Sequence, residues 1–404
     1  MAAAGAGSLA VARDDEPARA PNGASDGASE AEPARGGDVL ELRGGSERLE
    51  GEILDIGPEG VRILVNGQAI PSWVGWDRVR RVHGAMASEA EAYAEVADTA
   101  WRARTRLERG DAASAEPLFE SLFARYAGGE GPTARVVAEG LLRCRLRRNA
   151  YASAVEAWVA AQLAGVVGFD PSAAAVQGEG LALRLVPALP PIWTDAPGVR
   201  PLASGRLLLG EPREAGDGEP ATGGAGIGLT TRALAAWYRA AAAHEAGVPI
   251  DHDELRAARA SSDPEVTFVR AVVESRIGDG DVRAGARALL EVYIEAGVPR
   301  WAEAWARAAI GRSLLMEDEH EYRLLGVAEL MHMPARLRDA QPYLAGLGLA
   351  ESAAALDSMG QHAEADRVRA EFRRNFPGHP LLASSSATGR RVGTGSGGST
   401  EGAD

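Results

Sequence analysis

Apolar and polar residues alternate in short runs between Asp38 and His83: "DVLELRGG", "RLEGEILDIG", "GVRILVNG" and "DRVRRVHG". A period of two is typical of strands with one buried face, and Gly or Pro-Glu-Gly turns separate the runs. Asn66-Gly67 is a strong hairpin signal, because a type I′ turn requires a positive φ at both positions. The pattern predicts four or five strands that form a small β-barrel over residues 38–83.

The order of these runs, "LRGGSERLEGEILDIGPEGVRILVNG" followed by "WDRVRRV", resembles small SH3-like or Sm-like barrels that precede repeat domains in some bacterial proteins. From Ser88 onwards the apolar period becomes helical. In "ADTAWRARTRLERGDAASAEPLFESLFARY", Gly110-Asp111 separates two apolar stripes, and Ala103 and Ala115 stand where two helices approach closely. This segment, residues 96–129, resembles a tetratricopeptide repeat, a helical hairpin of about 34 residues.

Three later segments repeat that pattern and resemble the same family. Each has a turn between two apolar stripes and a small residue at the expected helix contact. The segments are 135–168, with Ala154 and Trp158; 266–299, with Gly285 at the contact and Leu289 behind it; and 351–380, with Gly360 at the turn, Ala353 and Ala365 at the contact, Phe372 packing between the helices and Pro377 after the last helix. Further helices are predicted at 231–247 and 301–333.

The predicted fold is therefore mainly α, a degenerate tetratricopeptide-like α-solenoid of helical hairpins preceded by a small all-β barrel, with disordered termini. The termini are rich in Gly, Ser, Ala and Pro and bury too little apolar surface to offset ordering entropy. The predicted organisation is a disordered leader or processed segment at 1–37, the barrel at 38–83, hairpins at 88–186, a Pro/Gly-rich linker or loop at 187–229, hairpins at 230–380 and a disordered tail at 381–404.

The segment 187–229 allows two interpretations. Its Pro190-Pro191-Ile192-Trp193 stretch is either an apolar plug on a groove or part of a tether, and we interpret it as a tether. The N-terminus has a short apolar run that ends in the small residues Ala10-Val11-Ala12, although no positive residue precedes the run. This pattern favours export to the periplasm, with a cytoplasmic location as the alternative. No run reaches the length of a transmembrane helix.

Charge and composition limit the classes of partner that the protein can bind. The net charge is −14, and every fixed side-chain cation is Arg, because the chain has no Lys. The barrel region has six Arg against eight acidic residues, a net charge of −2, so it lacks the positive surface that nucleic-acid binding requires. Nucleic acid is thus an unlikely partner on charge alone. RNA binding through the barrel, with bases stacked on Trp73 and Trp76, stays open as an alternative, although these residues are more simply explained as core.

Searches for catalytic and metal-binding patterns are negative. The single cysteine, Cys144, lies in an apolar helical pattern and is expected to be a small buried side chain. No pair of histidines has the spacing that mounts zinc on a helix, and the acidic residues around His320 are interpreted as a solvated helix start. The Asp residues flanking His252 are interpreted as helix caps. We therefore predict no enzyme activity, no catalytic residue, no metal and no cofactor.

The resemblance to tetratricopeptide repeats implies that the first helix of each hairpin lines a concave groove. The charged residues that it places there are Arg104, Glu108, Glu139, Arg143, Arg147, Arg270 and Glu274. Arg side chains could bind the carboxylates of an acidic peptide or chain terminus, whereas the plainer interpretation is an ordinary solvated face. The predicted function is a non-catalytic scaffold that binds a peptide or partner protein. A component of an envelope or secretion assembly is a further alternative, and oligomerisation is possible.

Overall fold

The computed structural model describes residues 37–165, 185–193, 198–204 and 224–382. The predictions for the leader, and for the tail beyond Leu382, lie outside these ranges. Within them the chain is mainly helical, with a five-stranded antiparallel sheet at the N-terminal end, which confirms the predicted fold class.

The strands of the sheet follow the predicted alternation. They are β1 (Asp38–Leu42), β2 (Arg48–Gly57), β3 (Gly60–Val65), β4 (Ser72–Val74) and β5 (Val79–His83), in the spatial order β4-β3-β2-β1-β5. Leu40, Ile53, Ile63 and Val82 form part of the core of the sheet, and the alternation of buried and exposed residues is interrupted by a register shift after Ile53 in β2.

The turn after β3 differs from the prediction. Only Gly67 has a positive φ, of 81°, and β4 begins no earlier than Ser72. The Gln68 N–H donates to the Val65 carbonyl oxygen over 2.9 Å, which closes a single turn at the start of a longer connection. The predicted hairpin is present, since β3 and β4 pair antiparallel, but the type I′ turn is wrong, because Asn66 does not adopt the left-handed conformation that this turn requires.

The helices occupy the rest of the described chain. They are α1 (Ala87–Glu91), α2 (Ala94–Glu108), α3 (Ala112–Tyr126), α4 (Gly131–Arg147), α5 (Tyr151–Leu163), α6 (Val199–Ser204), α7 (Gly224–Ala246), α8 (His252–Arg259), α9 (Pro264–Ile277), α10 (Gly280–Glu295), α11 (Arg300–Leu314), α12 (His320–His332), α13 (Pro342–Ser358) and α14 (His362–Asn375). A π-helical turn, Met333–Leu337, follows α12. Among the described helices, none is both long and apolar enough to cross a membrane.

Local sequence explains several helix boundaries. Asp251 caps α8 by accepting hydrogen bonds from the backbone N–H groups of Asp253 and Glu254, as predicted. Gly110 and Gly360 adopt positive φ values of 88° and 79°, and each ends the first helix of a predicted hairpin.

The helices pack mainly on their neighbours in sequence, in one series from α2 to α8 and in a second from α9 to α14. A second set of contacts joins every other helix: α7 packs on α9, α9 on α11 and α11 on α13. We call α7, α9, α11 and α13 the inner helices. Ala103, Ala115, Ala353 and Ala365 are all buried at the helix contacts, in keeping with their small size.

The predicted contact at Gly285 is wrong. Gly285 on α10 is exposed, and an added Cβ would meet no atom within 4 Å. The buried positions are Ala286 and Leu290, each one residue later. A shift of one residue rotates a helix by about 100°, which turns the predicted contact outward.

The predicted linker at 187–229 is described in three parts, and they are not a solvated tether. Leu189, Ile192 and Trp193 are buried, with Trp193 only 1% exposed, in the core that they share with the helices. Residues 199–204 form α6, whose Val199 and Leu202 are buried, and α7 already begins at Gly224. The tether interpretation fails here because these apolar side chains are packed against helices. We call residues 185–193 the buried segment.

Candidate interaction surface

The predicted groove residue Arg104 is used inside the molecule. Its guanidinium forms an ion pair with Asp77, which lies between β4 and β5 and is buried, and its Nε lies 3.3 Å from Oε1 of Glu108. Burial raises the pKa of Asp77, while the Arg104 charge and hydrogen bond oppose that rise. Arg104 therefore joins α2 to the sheet and does not line an open groove, although Glu108 itself is exposed.

The sheet also covers the start of α4. The Trp76 backbone N–H donates to Oγ1 of Thr133 over 3.0 Å, and the Thr133 hydroxyl donates to the Glu59 carbonyl oxygen over 2.8 Å. The Trp76 indole is buried and stacks on Tyr93 with ring centroids 4.8 Å apart. Trp76 is therefore a core residue and offers no face for base stacking, while Trp73 is half-buried.

The other predicted groove residues in this region, Glu139, Arg143 and Arg147, lie on α4. Glu139 forms an ion pair with Arg135 over 2.7 Å, and Nη1 of Arg147 donates to the Leu107 carbonyl oxygen at the end of α2 over 3.4 Å. Arg143 is half-buried and makes no hydrogen bond or ion pair with the described part of the chain. Of the predicted groove cations on α4, Arg143 is thus the one without a partner among the described residues, while Arg147 is exposed and has one long hydrogen bond.

Arg270 and Glu274, the predicted groove residues on the third hairpin, take part in contacts between α8 and α9. Glu274 accepts a hydrogen bond from Nε of Arg259 over 2.9 Å, and Arg270 lies 3.7 Å from Glu274 on the same helix. The predicted residues thus fall in two separate places, α2/α4 and α8/α9, and most of their charges are already paired.

The buried segment lies on the inner helices. The Tyr238 hydroxyl of α7 donates to the Leu189 carbonyl oxygen over 2.7 Å, and Nε1 of Trp305 on α11 donates to the Pro187 carbonyl oxygen over 3.2 Å. The Gln341 side-chain amide, at the start of α13, donates to the same Pro187 oxygen. The chain's own backbone therefore accepts the hydrogen bonds that an extended peptide on these helices would accept.

A buried charge cluster fixes the end of this segment. Arg312 of α11 donates to Glu245 of α7 over 2.8 Å, to Glu351 of α13 over 3.0 Å and to the Trp193 carbonyl oxygen over 3.3 Å. Burial would lower the pKa of Arg312, but the two carboxylates raise it above its usual value. Beside the cluster lies a cavity of about 10 Å³, enough for about one water molecule. It is too small for a peptide, so the inner helices present no open groove here.

Most of the exposed large apolar side chains lie on a different surface of the helical body. Nine large apolar side chains are exposed in the described part of the chain, and six of them lie on α10 or between Met316 and Leu325. We define the α10/α12 surface as the exposed side of α10 together with residues 316–325. Its apolar members are Val282, Val292, Met316, Tyr322, Leu324 and Leu325.

The two parts of this surface are joined through Glu317. Arg287 of α10 donates to Oε1 of Glu317 over 2.7 Å and to the Ser313 hydroxyl over 2.9 Å, and Arg283 lies 3.7 Å from the same carboxylate. Arg323 of α12 donates to the Ser358 hydroxyl on α13. The arginines of this region are therefore half-buried and bonded within the molecule.

The charges left on the surface are all negative. Six exposed carboxylates make no hydrogen bond or ion pair with the described residues: Asp281, Glu291, Glu295, Asp318, Glu319 and Glu321. The α10/α12 surface thus carries exposed apolar side chains together with six carboxylates that have no partner among the described residues.

The described residues contain no group of three or more His, Cys, Asp or Glu side chains placed to hold a metal ion. Cys144 is buried as predicted, and burial raises the pKa of its thiol to about 11. Comparisons with known proteins give no further guide, since no family model, no curated protein and no solved structure matches this chain.

Proposed function

We propose that the protein is a non-catalytic scaffold that binds a partner protein on its helical body. The observation that carries this proposal is the concentration of exposed apolar side chains on the α10/α12 surface. A concentration of exposed apolar side chains is typical of interaction sites, because leaving apolar area in water is unfavourable.

We further propose that the hairpins form a tetratricopeptide-like solenoid and that the sheet is an SH3-like or Sm-like barrel. The succession of helix pairs that pack on their sequence neighbours supports the first, and five antiparallel strands within 38–83 support the second. The proposed binding surface differs from the concave groove on the first helix of each hairpin, which is the surface expected of the family. The buried segment covers inner helices α7, α11 and α13, and the sheet pairs with Arg104 on α2.

A recovery and reconstitution experiment tests this function. The purified chain is used to recover associated proteins from its source, and a recovered protein is then purified and titrated against the wild type and two variants. The first variant, Val292→Ser with Leu325→Ser, removes apolar groups from the α10/α12 surface. The second, Arg143→Ala with Arg147→Ala, alters the predicted groove on α4.

We expect the first variant to weaken binding of the purified partner by at least about tenfold and the second to leave it unchanged. The reverse result would place the binding surface on α4. Failure of the wild-type chain to bind any purified protein would contradict the scaffold function itself. Arg104 is left intact in these variants, because its removal would leave the Asp77 carboxylate buried without its partner.

A further inference from the structure

We infer that residues 376–382, which we call the C-terminal turn, form a pH-sensitive latch on α13 and α14. The turn stays docked while His379 is neutral and is released when His379 takes up a proton. This inference goes beyond the proposed function and is independent of the α10/α12 surface. Three observations carry it: the enclosure of the His379 ring, its hydrogen bonds, and the lack, among the described residues, of a carboxylate bonded to it.

The imidazole of His379 is enclosed by the last two helices. It is 7% exposed, stacks on the Tyr343 ring of α13 with centroids 5.1 Å apart, and meets the Phe372 ring of α14 edge-on with centroids 5.3 Å apart. An added Cβ at Gly346 of α13 would lie 2.5 Å from Cδ2 of the imidazole. The ring therefore fills a space that a side chain at position 346 would close.

The C-terminal turn is built around this ring. The His379 backbone N–H donates to the Phe376 carbonyl oxygen over 3.0 Å, and the Leu382 N–H donates to the His379 carbonyl oxygen over 3.0 Å. Phe376 is buried, and Leu381 and Leu382 are half-buried against the core of the helical body. Removing the imidazole from its place thus loosens the whole turn.

Both ring nitrogens of His379 are bonded in the docked turn. The Leu381 backbone N–H donates to Nδ1 over 3.3 Å, so Nδ1 carries no proton, and Nε2 donates to the Tyr343 carbonyl oxygen over 3.0 Å. These partners fit the neutral ring alone. A second proton would lie on Nδ1 and face the Leu381 N–H, so that two donors meet without an acceptor. Protonation therefore removes one hydrogen bond and adds a buried charge.

The surroundings offer a protonated ring no opposite charge. On α13 the titratable group at the ring is Tyr343, whose pKa is raised by burial, and Arg338 places a further cation over the Phe376 ring. Burial lowers the pKa of His379, the hydrogen bond to Tyr343 opposes this in part, and no charged side chain of the described residues contributes. The nearest other charged groups along α13 and α14 are Glu351, paired with Arg312, Glu371, bonded to Asn375, and the exposed Arg373 and Arg374.

The proton balance gives the direction of the switch. In the released turn His379 is in water, where its pKa is about 6.5, whereas the docked ring takes up a proton only at lower pH. Between these two values, each pH unit of acidification shifts the equilibrium towards the released turn by about tenfold. Docking is therefore strongest above about pH 6.5 and weakens below it, and release uncovers the rings of Tyr343 and Phe372.

Hydrogen exchange of the C-terminal turn in the full-length protein tests this inference. The backbone protection of residues 376–382, corrected for the intrinsic exchange rate, is measured by mass spectrometry from about pH 7.5 to about pH 5. Far-ultraviolet circular dichroism follows the helices over the same range. We expect protection to fall below about pH 6.5, by up to about tenfold per pH unit, while the helix content stays unchanged.

Two matched variants separate His379 from other titrations. His379→Gln cannot take up a proton, and its amide can still donate to the Tyr343 carbonyl oxygen, so its protection should change by less than about twofold with pH. The control is His362→Gln, which removes an exposed histidine that lies 2.6 Å from Asp357 beside the same two helices. We expect this control to lose protection as the wild type does.

A titration of the His379 ring by nuclear magnetic resonance in the wild-type protein gives a second measurement, which stands even if His379→Gln does not dock. The ring signal is assigned by its absence from the spectrum of that variant. We expect it to titrate below about pH 6.5, together with the loss of protection. A ring that titrates at or above about pH 6.5, equal loss of protection in a docked His379→Gln variant, or loss that occurs only as the helices unfold would overturn the inference.

Discussion

Replacing Trp193 by alanine is expected to destabilise the helical body by about 3–5 kcal/mol. The side chain is 1% exposed, and it packs against Tyr238 with ring centroids 5.9 Å apart. Burying a Trp removes about 150–250 Å² from water, which at about 25 cal/mol per Å² corresponds to about 4–6 kcal/mol, an upper bound. The expected loss of about 3–5 kcal/mol is smaller than this bound because the surrounding residues relax around the cavity, and it is typical of large-to-small replacements in cores.

The assay is urea denaturation followed by far-ultraviolet circular dichroism, which reports helix content. Ile70→Ala is the control, because Ile70 is 77% exposed and its truncation should change the free energy of unfolding by less than about 0.5 kcal/mol. If Trp193→Ala also costs less than about 1 kcal/mol, the buried segment contributes no core packing. The tether interpretation of the sequence would then be restored.

The remaining predictions concern other parts of the helical body. Arg312→Ala should cost about 3 kcal/mol because it leaves Glu351 unpaired and Glu245 with only Arg276, 3.8 Å away, and adding Glu351→Gln should recover part of that loss in a denaturation cycle; additive losses would refute the coupling. Burial lowers the pKa of His379, so the unfolded chain takes up a proton first. Unfolding free energy should therefore fall as pH drops below about 6.5, and His379→Gln should flatten that slope; equal slopes would contradict it. Gly285→Ala should stabilise the protein to thermal unfolding by up to about 1 kcal/mol, because the helix gains a better former and the added Cβ meets nothing; a lower melting temperature would refute it.

Local patterns in the sequence were sufficient for the sheet and for most of the hairpins. Alternation from Asp38 to His83 matches the start of β1 and the end of β5, because a period of two is a direct consequence of burying one face. The turns at Gly110 and Gly360 were found because each separates two apolar helical stripes, and both glycines adopt the positive φ that glycine tolerates. The error at Gly285 arose because a family pattern was placed one residue out of register on α10.

Tertiary partners set the features that the sequence did not reveal. The Pro/Gly-rich composition of 187–229 is typical of loops, and only contacts with distant helices show that Leu189 and Trp193 are buried. Arg104 belongs to a groove by its repeat position, but Asp77, its partner, lies 27 residues earlier in a different element. The outward direction of Tyr322 and Leu325 was equally hidden, since Gly326 and Leu330 supply the buried face of the same helix.

The contacts of Pro187 have a consequence for how the chain acquires its structure. Its carbonyl oxygen is bonded to Trp305 and Gln341, which lie 118 and 154 residues later in the chain. Ordinary repeat arrays can fold from any point outward, since each unit needs only its neighbours. Here the hydrogen bonds of Pro187 cannot be completed until Gln341, at the start of α13, has left the ribosome. We therefore expect a chain that stops before Gln341 to leave the buried segment incompletely held and to aggregate, and the two halves of the helical body to unfold as one cooperative unit.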